Sequence, residues 1–568
     1  MSQVSEAVRA HRGALAVWLW AAVLAAVVCA PWLRPGYLLT YDMVWVPHLD
    51  LTRLEVWGLG SALPRAVPSD AVVALAGSIL PAAVVQRVIL AGVFVLGAVG
   101  AARLVPNLRL PARLATATFF VWNPFVAERL ALGQWPLLIG LAALPWLIAA
   151  LLDASRRQYG VVVAALAGLA MSPAGGLIAV PVVLVLGRTF GRYRLVGLVA
   201  ALNAPWIVAG LLHRAAATSD PAGVTAFAVQ SDGPLGRLWS AMSLGGIWNA
   251  DVVPGSRALW TTAVLVAFGW VVMAVGVSRW WRDERVVVER LAVLALSGLV
   301  VACAGWWAPG LMGFVADTIP GGGLLRDGTR FLMLLIPLSA MALGHGAAVV
   351  AARVPRPSTR KLVAALLVVL PVVSVPDLAW GVDGRVQVAT YPQAWADVRA
   401  EIRDSSAQGD LLVLPFSAYR APSWNDGRPV LDPAGRYFDR TTVVNDDLIV
   451  SGITIRGEDP RAAAVFDVLA AGVIEPAALR ARGIGLVLID VSAPEAAGAL
   501  TSVARLQLVA SSGDLVLFSA GDAIPDGPTG VQRWSMILAW IVAVATVAGA
   551  AVAEVVYRGR RRKTGRGK

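Results

Sequence analysis

The stretch ALAVWLWAAVLAAVVCAPWL, Ala14 to Leu33, is twenty residues long, holds no charged side chain and follows Arg9 and Arg12. As a helix rising 1.5 Å per residue it covers the roughly 30 Å of hydrocarbon in a bilayer. It ends without a small-residue cleavage site, so it reads as an anchor and not as a removed signal peptide. Eleven further apolar runs follow, near 86–104, 113–128, 135–153, 160–171, 173–188, 194–213, 259–278, 286–305, 329–352, 361–380 and 535–556, twelve in all. The pair 160–188 is the exception in kind, because Ser172-Pro173 interrupts it and a re-entrant hairpin fits it equally well. Of the 568 residues, 58% are hydrophobic and 15% charged. A soluble domain carries about 25% charged residues and disorder requires low hydrophobicity, so both classes are excluded. The reading is a polytopic α-helical membrane protein of about twelve transmembrane helices.

Basic residues set the expected topology, since cytoplasmic loops concentrate Lys and Arg. With the N-terminus inside, the inside segments hold Arg103, Arg109 and Arg113; Arg156 and Arg157; Arg188, Arg192 and Arg194; Arg279, Arg282 and Arg285; and Arg353, Arg356, Arg360 and Lys361. The tail 557–568 adds seven more. The net charge of +12 is thereby explained without nucleic acid. Cys29 and Cys303 both fall in apolar runs and form neither a disulfide framework nor a metal-ligand spacing. The other side receives the loops 34–85, 214–258 and 306–328 and the long segment 381–534. Residues 381–530 hold 19 acidic and 12 basic side chains. The domain plan is 1–380 in the membrane, 381–534 as a small exterior α/β domain, 535–556 as the final span and 557–568 as a basic cytoplasmic tail. Helical periodicity at 395–403 and 461–469, and short β-like runs at 411–415, 441–444, 484–490 and 515–519, support that exterior domain.

Transporters bury ionisable groups near the bilayer centre. Here the apolar runs are nearly free of acids, and polar residues gather at the exterior face. The first exterior loop contains Tyr41-Asp42, then His48 and Asp50, among aromatics. A carboxylate partly desolvated at the interface suits a general base; the alternative is a loop acid paired with Arg34 or Arg53. One His and one Asp do not by themselves make an acid/base or metal pair. The link NPFVAERLALGQWP, Asn123 to Pro136, presents Glu128, Arg129 and Gln134 beside the interface. Arg129 there is either a phosphate ligand through paired N–H donors or half of an interfacial ion pair. In Gly321 to Phe331, Arg326 and Arg330 stand at i and i+4 as a clamp for an anionic head group, unless Asp327 neutralises one of them. In the exterior domain, Trp424 with Asp426, and Asp446 with Asp447, are the kind of residues that contact sugars. No P-loop, Rossmann fingerprint, nucleophile elbow or His-Glu-x-x-His motif is present.

The multi-span bundle, the acid in the first exterior loop, NPFVAERLALGQWPLLIG and LLRDGTRF together resemble the membrane glycosyltransferases of the GT-C superfamily. The likeness extends to the N-terminal membrane part of actinobacterial α-(1→3)-arabinofuranosyltransferases and to YfhO-like membrane proteins. It covers roughly residues 14–380, and GDLLVLPFSAYRAPSW and ARGIGLVLIDVS are similar to the exterior part. Arginine outnumbers lysine 45 to 3, as high-GC coding in actinobacteria produces. The resemblance implies an inverting transfer of a sugar, arabinofuranose or mannose, from a polyprenyl-phosphate donor to an envelope glycan or glycolipid at the outer face of the plasma membrane. It makes Asp42 the catalytic base and Arg326, Arg330 and Arg129 the donor-phosphate ligands. Tyr41, His48, Asp50, Glu128, Gln134 and Asp327 are supporting residues, and Trp424, Asp426, Asp446 and Asp447 acceptor contacts. A divalent metal remains open as cofactor. A transporter or flippase of lipid-linked saccharides and an inactive scaffold are the competing readings.

Overall fold

A computed structural model describes residues 2–153, 158–213 and 217–564. Arg156 and Arg157, and the end of the basic tail with Arg566 and Lys568, lie outside the described residues. Among the described residues nine helices are long and apolar enough to cross a membrane. They are His11–Leu33, Ala82–Leu104, Trp135–Leu152, Pro173–Phe190, Arg192–Leu212, Trp260–Trp307, Gly328–Ala352, Pro357–Ser374 and Gly530–Val556. The expected twelve runs become nine such helices for three local reasons. The runs 259–278 and 286–305 are two helices that meet across a kink at Glu284, where φ is −141° and ψ 52°, and together make the 48-residue element Trp260–Trp307. The run 113–128 is cut by Asn123-Pro124 into the helices Leu110–Val121 and Pro124–Ala131. The run 160–171 is an eleven-residue helix, Tyr159–Leu169, about 17 Å long at 1.5 Å per residue.

Capping chemistry explains both cuts. The Asn123 side chain accepts the Val126 amide at 3.1 Å and Pro124 takes the first helical position, where its missing N–H is not needed. Ser172 and Pro173 start their helix in the same way, through the Gly175 amide at 3.1 Å.

Small residues let the helices meet backbone to backbone, as in other membrane bundles. A Cβ on Gly276 would lie 2.1 Å from the Ala342 carbonyl oxygen, and one on Gly346 would lie 2.1 Å from that of Val272. The elements Trp260–Trp307 and Ile336–Ala352 therefore cross in direct backbone contact. Near one end of this crossing Gly328 sits against Val301, where a Cβ would come within 2.3 Å of the carbonyl. That contact seats the Arg326–Arg330 segment on the long helix.

Residues 384–529 carry a five-stranded sheet ordered Gln507–Ser512, Leu515–Ser519, Ile484–Asp490, Asp410–Leu414, Thr442–Val443. The first two pairings are antiparallel and the last two parallel. Both central strands are buried along their whole length and read as continuous apolar runs, as strands covered on two faces do. Alternation divides their side chains. Leu412, Leu414, Val487 and Ile489 pack with Val465 and Val468 of the helix Pro460–Leu469. Leu411, Val413, Leu486 and Leu488 join the main core with Trp395 and Val398 of Gln393–Asp404.

This segment is tied to the first long loop of the chain at many points. Tyr37–Leu38 pairs antiparallel with Val388–Ala389, and Tyr41 exchanges backbone hydrogen bonds with Pro429 and Leu431. Arg53 donates to the Phe438 carbonyl at 2.6 Å, and Arg436 pairs with Asp70 at 3.0 Å. The helix Gly530–Thr564 then begins directly after this segment, a few residues earlier than the apolar run that marks it in the sequence.

Gly276→Ala is expected to force the two crossing helices apart and destabilise the protein by about 1–3 kcal/mol, the usual range for overpacking. Gly310→Ala, where a Cβ meets no atom within 4 Å, serves as its control. Thermal unfolding in detergent, followed by tryptophan fluorescence, compares the two.

Candidate active site at the first loop

Asp42 is presented by a tight turn. Tyr41 has a φ of 37°, and Thr40 and Met43 exchange backbone hydrogen bonds across it. The Asp42 amide donates to the Leu132 carbonyl at 3.0 Å, which ties the turn to the end of the Asn123–Pro136 link. Gly133, at φ 81°, makes this approach possible, because a Cβ there would lie 2.3 Å from the Met43 nitrogen. The carboxylate is held from two sides. Its Oδ1 accepts the Tyr419 hydroxyl at 2.5 Å, and its Oδ2 accepts the Gln134 amide at 3.3 Å. Burial, reinforced by the Asp42 charge, pushes the Tyr419 phenol well above its ordinary range, so this phenol stays a donor at neutral pH.

Gln134 leads from Asp42 to a buried ion pair. Its Oε1 accepts from Arg129 Nη1 at 2.9 Å, and the same nitrogen donates to Asp327 Oδ2 at 3.0 Å. Arg129 Nη2 bonds the Thr329 hydroxyl at 2.5 Å, and that hydroxyl donates to Asp327 Oδ1 at 2.7 Å. The side chains of Arg129 and Asp327 are 1% and 3% exposed. Arg330 Nε approaches the same carboxylate at 2.9 Å. Burial alone would raise the Asp327 pKa, but Arg129 and Arg330 outweigh it and hold the group far below the usual carboxylate range. Expected as a phosphate ligand, Arg129 is instead enclosed, with its terminal nitrogens committed to Asp327, Gln134 and Thr329.

Glu128, also buried, faces a second cluster. Arg257 binds Asp232 bidentately at 3.0 and 2.9 Å. Burial first, and then the Asp232 charge, raise the Glu128 pKa well above its ordinary value against the pull of Arg257 and Arg129. The Glu128 Oε1 has no hydrogen-bond partner in the structure.

The remaining expected residues divide. Arg326 and Arg330 do not share an α-helical face. Arg326 follows the 3₁₀ turn Gly322–Leu325, and Arg330 lies in the 3₁₀ helix Gly328–Leu334. Each takes a different acid, Glu458 for Arg326 at 3.0 Å and Asp327 for Arg330. Tyr41 reaches away to Asp251 at 3.0 Å. His48 is exposed and lines a separate cleft with Asp70 and Arg436. Asp50 accepts the Thr52 amide at 2.8 Å, and that bond chiefly lowers its pKa. Trp424 packs against Tyr391 and Trp395 at centroid distances of 4.9 and 5.6 Å. Asp426 is exposed beside Arg428. Asp446 and Asp447 are occupied with backbone, accepting the amides of residues 457–459. Among the described residues no group of three or more His, Cys, Asp and Glu is placed to hold a metal ion.

Tyr419, Arg65, Glu458, Asp232 and Arg257 were not singled out in the sequence. Tyr419 lies within GDLLVLPFSAYRAPSW, so the stretch drew notice while its tyrosine did not. Beside the Asn123–Pro124 break a groove opens among the helices, lined by Phe119, Trp122, Trp270, Met273, Leu343 and Leu370. Its walls are apolar and suit a hydrocarbon chain.

Asp327→Asn is expected to cost about 3–5 kcal/mol, because it leaves Arg129 buried without its counter-charge. Glu128→Gln, which removes a carboxylate set beside the Asp232 charge and leaves the Arg257–Asp232 pair in place, should stay within about 1 kcal/mol. Thermal unfolding of both variants checks the contrast. The sign with pH follows from the depressed Asp327 pKa. Its contribution is fully present above the unfolded carboxylate value, about 3.9, and is lost as pH falls toward the folded one. The Asp327→Asn variant should therefore lose less stability on acidification than the parent.

No family model matches the chain, and a comparison with curated proteins by sequence finds no match. Among solved structures, the arabinofuranosyltransferase AftD from Mycobacteria aligns with 89% of this chain and 40% of its own, at 17% identity and a TM-score of 0.59. A mutant of the same enzyme gives 90% and 42%, at 18% identity and a TM-score of 0.56. ArnT from Cupriavidus metallidurans aligns over 93% of this chain and 100% of its own, at 13% identity and a TM-score of 0.37. The chain spans about 40% of the length of AftD. Over that portion it shares the fold of the arabinofuranosyltransferase.

Proposed function

We propose that this chain is a glycosyltransferase that moves a sugar from a polyprenyl-phosphate donor to a cell-envelope glycan or glycolipid at the outer face of the plasma membrane. In this reading the loops 34–85 and 306–328 and the sheet-bearing segment face outward, and both termini face the cytoplasm. The observation that carries it is the Asp42 carboxylate, oriented by Tyr419 and Gln134 and linked through Gln134 and Arg129 to the Asp327 carboxylate that Arg330 contacts. The apolar groove beside Asn123 supports an isoprenoid chain, and arabinofuranose or mannose is the favoured sugar.

Asp42 takes the proton of the acceptor hydroxyl as that oxygen attacks the anomeric carbon. The bond from that carbon to the phosphate oxygen breaks on the opposite side, so the configuration inverts. The electron pair leaves with the polyprenyl phosphate, whose developing charge Arg326 and Arg330 stabilise, the contribution that usually dominates in such steps. Tyr419 and Gln134 position the base and make no contact with the reacting atoms. Trp424, half-buried against Tyr391, is the acceptor contact in this reading.

The test is transfer by membranes enriched in the protein, supplied with radiolabelled polyprenyl-phosphate arabinose or mannose and a mixed glycan acceptor. Asp42→Asn is expected to fold and to lose two or more orders of magnitude in rate, as removal of a general base does. Unchanged transfer would place the base elsewhere. Tyr419→Phe, which strips one donor from the carboxylate, is expected to lower kcat roughly tenfold to a hundredfold with KM little altered. A rise in KM at constant kcat would instead make Tyr419 a binding residue.

A further inference from the structure

Glu458 occupies a seat with the donors of an anion site. Its Oε2 accepts from Arg65 at 2.6 Å, and its Oε1 accepts from Arg326 at 3.0 Å and from the Ser219 hydroxyl at 2.8 Å. These three partners come from three separate loops, and Glu458 comes from a fourth. The turn that carries it has no regular secondary structure and is hung on Asp446 and Asp447 by the amides of residues 457–459. The Glu458 side chain is 6% exposed, whereas Arg65 is 47% exposed, so one wall of the seat is open. Burial would raise the Glu458 pKa, but Arg65 and Arg326 overcome it and keep the carboxylate charged. The Arg65 charge acts on Tyr419, the phenol that bonds Asp42.

We propose that Arg65, Arg326 and the Ser219 hydroxyl form a seat for the phosphate group of a lipid-linked ligand, and that the Glu458 carboxylate fills this seat until the phosphate displaces it. The inference rests on the proposed use of a polyprenyl-phosphate donor. Arginine forks bind phosphate oxygens through the same N–H groups that bind a carboxylate. A phosphate brings more acceptor oxygens, and on leaving as a monoester a larger charge, so it competes favourably. The occupied seat also avoids leaving Arg326, 16% exposed, without an anion. Glu458 thereby keeps the empty site ordered and sets a threshold for ligand entry. Arg65 belongs to the same loop as Asp42, so ligand binding and placement of the base are coupled through one segment.

The test measures equilibrium binding of radiolabelled decaprenyl phosphate to the full chain in nanodiscs, with decaprenol and inorganic phosphate as competitors. Glu458→Gln is expected to bind decaprenyl phosphate roughly tenfold tighter, and Arg65→Met and Arg326→Met roughly tenfold weaker. Decaprenol should not compete, and inorganic phosphate should compete only at far higher concentration than the lipid. Should Glu458→Gln fail to fold, Glu458→Asp, with a shorter reach, is expected to show a smaller gain in affinity. Affinity unchanged or lowered in the folded Glu458 variants would overturn the displacement. Competition by inorganic phosphate as strong as by the lipid would make the seat a free-anion site and overturn the lipid assignment. Binding is read without sugar transfer, so an inactive Asp42 reading and a failed phosphate seat give different results.

Discussion

The pairing of Arg129 with Asp327, 198 residues apart in sequence, is the contact that organises this end of the helical bundle. Two charges this deeply enclosed are tolerable only when their remaining donors and acceptors are met. Thr329 and Gln134 meet them on either side. The requirement propagates outward. Satisfying Arg129 fixes Gln134, and the other end of Gln134 reaches the Asp42 carboxylate. The segment bearing Asp327 is in turn pressed onto the long helix through Gly328, so the pair joins a buried crossing of helices to the loop that carries Asp42.

The sheet-bearing segment completes what the bundle begins. Without it Asp42 would have one donor, from Gln134; Tyr419 supplies the second. The segment is held by strand pairing and side-chain bonds to the first loop, so the placement of Tyr419 depends on an interface and not on its own strand alone. The bundle offers a dry wall and a groove, and the sheet offers hydrogen-bonding groups that hydrocarbon cannot accommodate.

Arginine does nearly all of the cationic work. Arg257 with Asp232, Arg420 with Asp432 and Arg461 with Asp410 are ion pairs whose acids are almost fully enclosed. A planar fork with several fixed donors satisfies a buried carboxylate more completely than a lysine ammonium does. The same property makes the Arg65 and Arg326 pair suited to exchange one anion for another.

The residues themselves determined that this chain is a bundle of membrane helices, because apolar runs of spanning length leave a bilayer as their one stable surroundings. They also marked Asp42, the Asn123–Pro136 link and the 326–330 segment as places where polar groups cluster at an interface. Helix count was legible only in part. Whether Asn123-Pro124 divides a run depends on its cap and on which surfaces the neighbours cover. Tertiary structure alone decided the partners. Hydropathy and spacing report on residues near one another in sequence, whereas the bonds of Asp42 to Tyr419, Arg129 to Asp327 and Glu458 to Arg65 join loops more than 190 residues apart. Arginine's reach and charge are the same wherever it stands, and only the packed fold selects which carboxylate it meets.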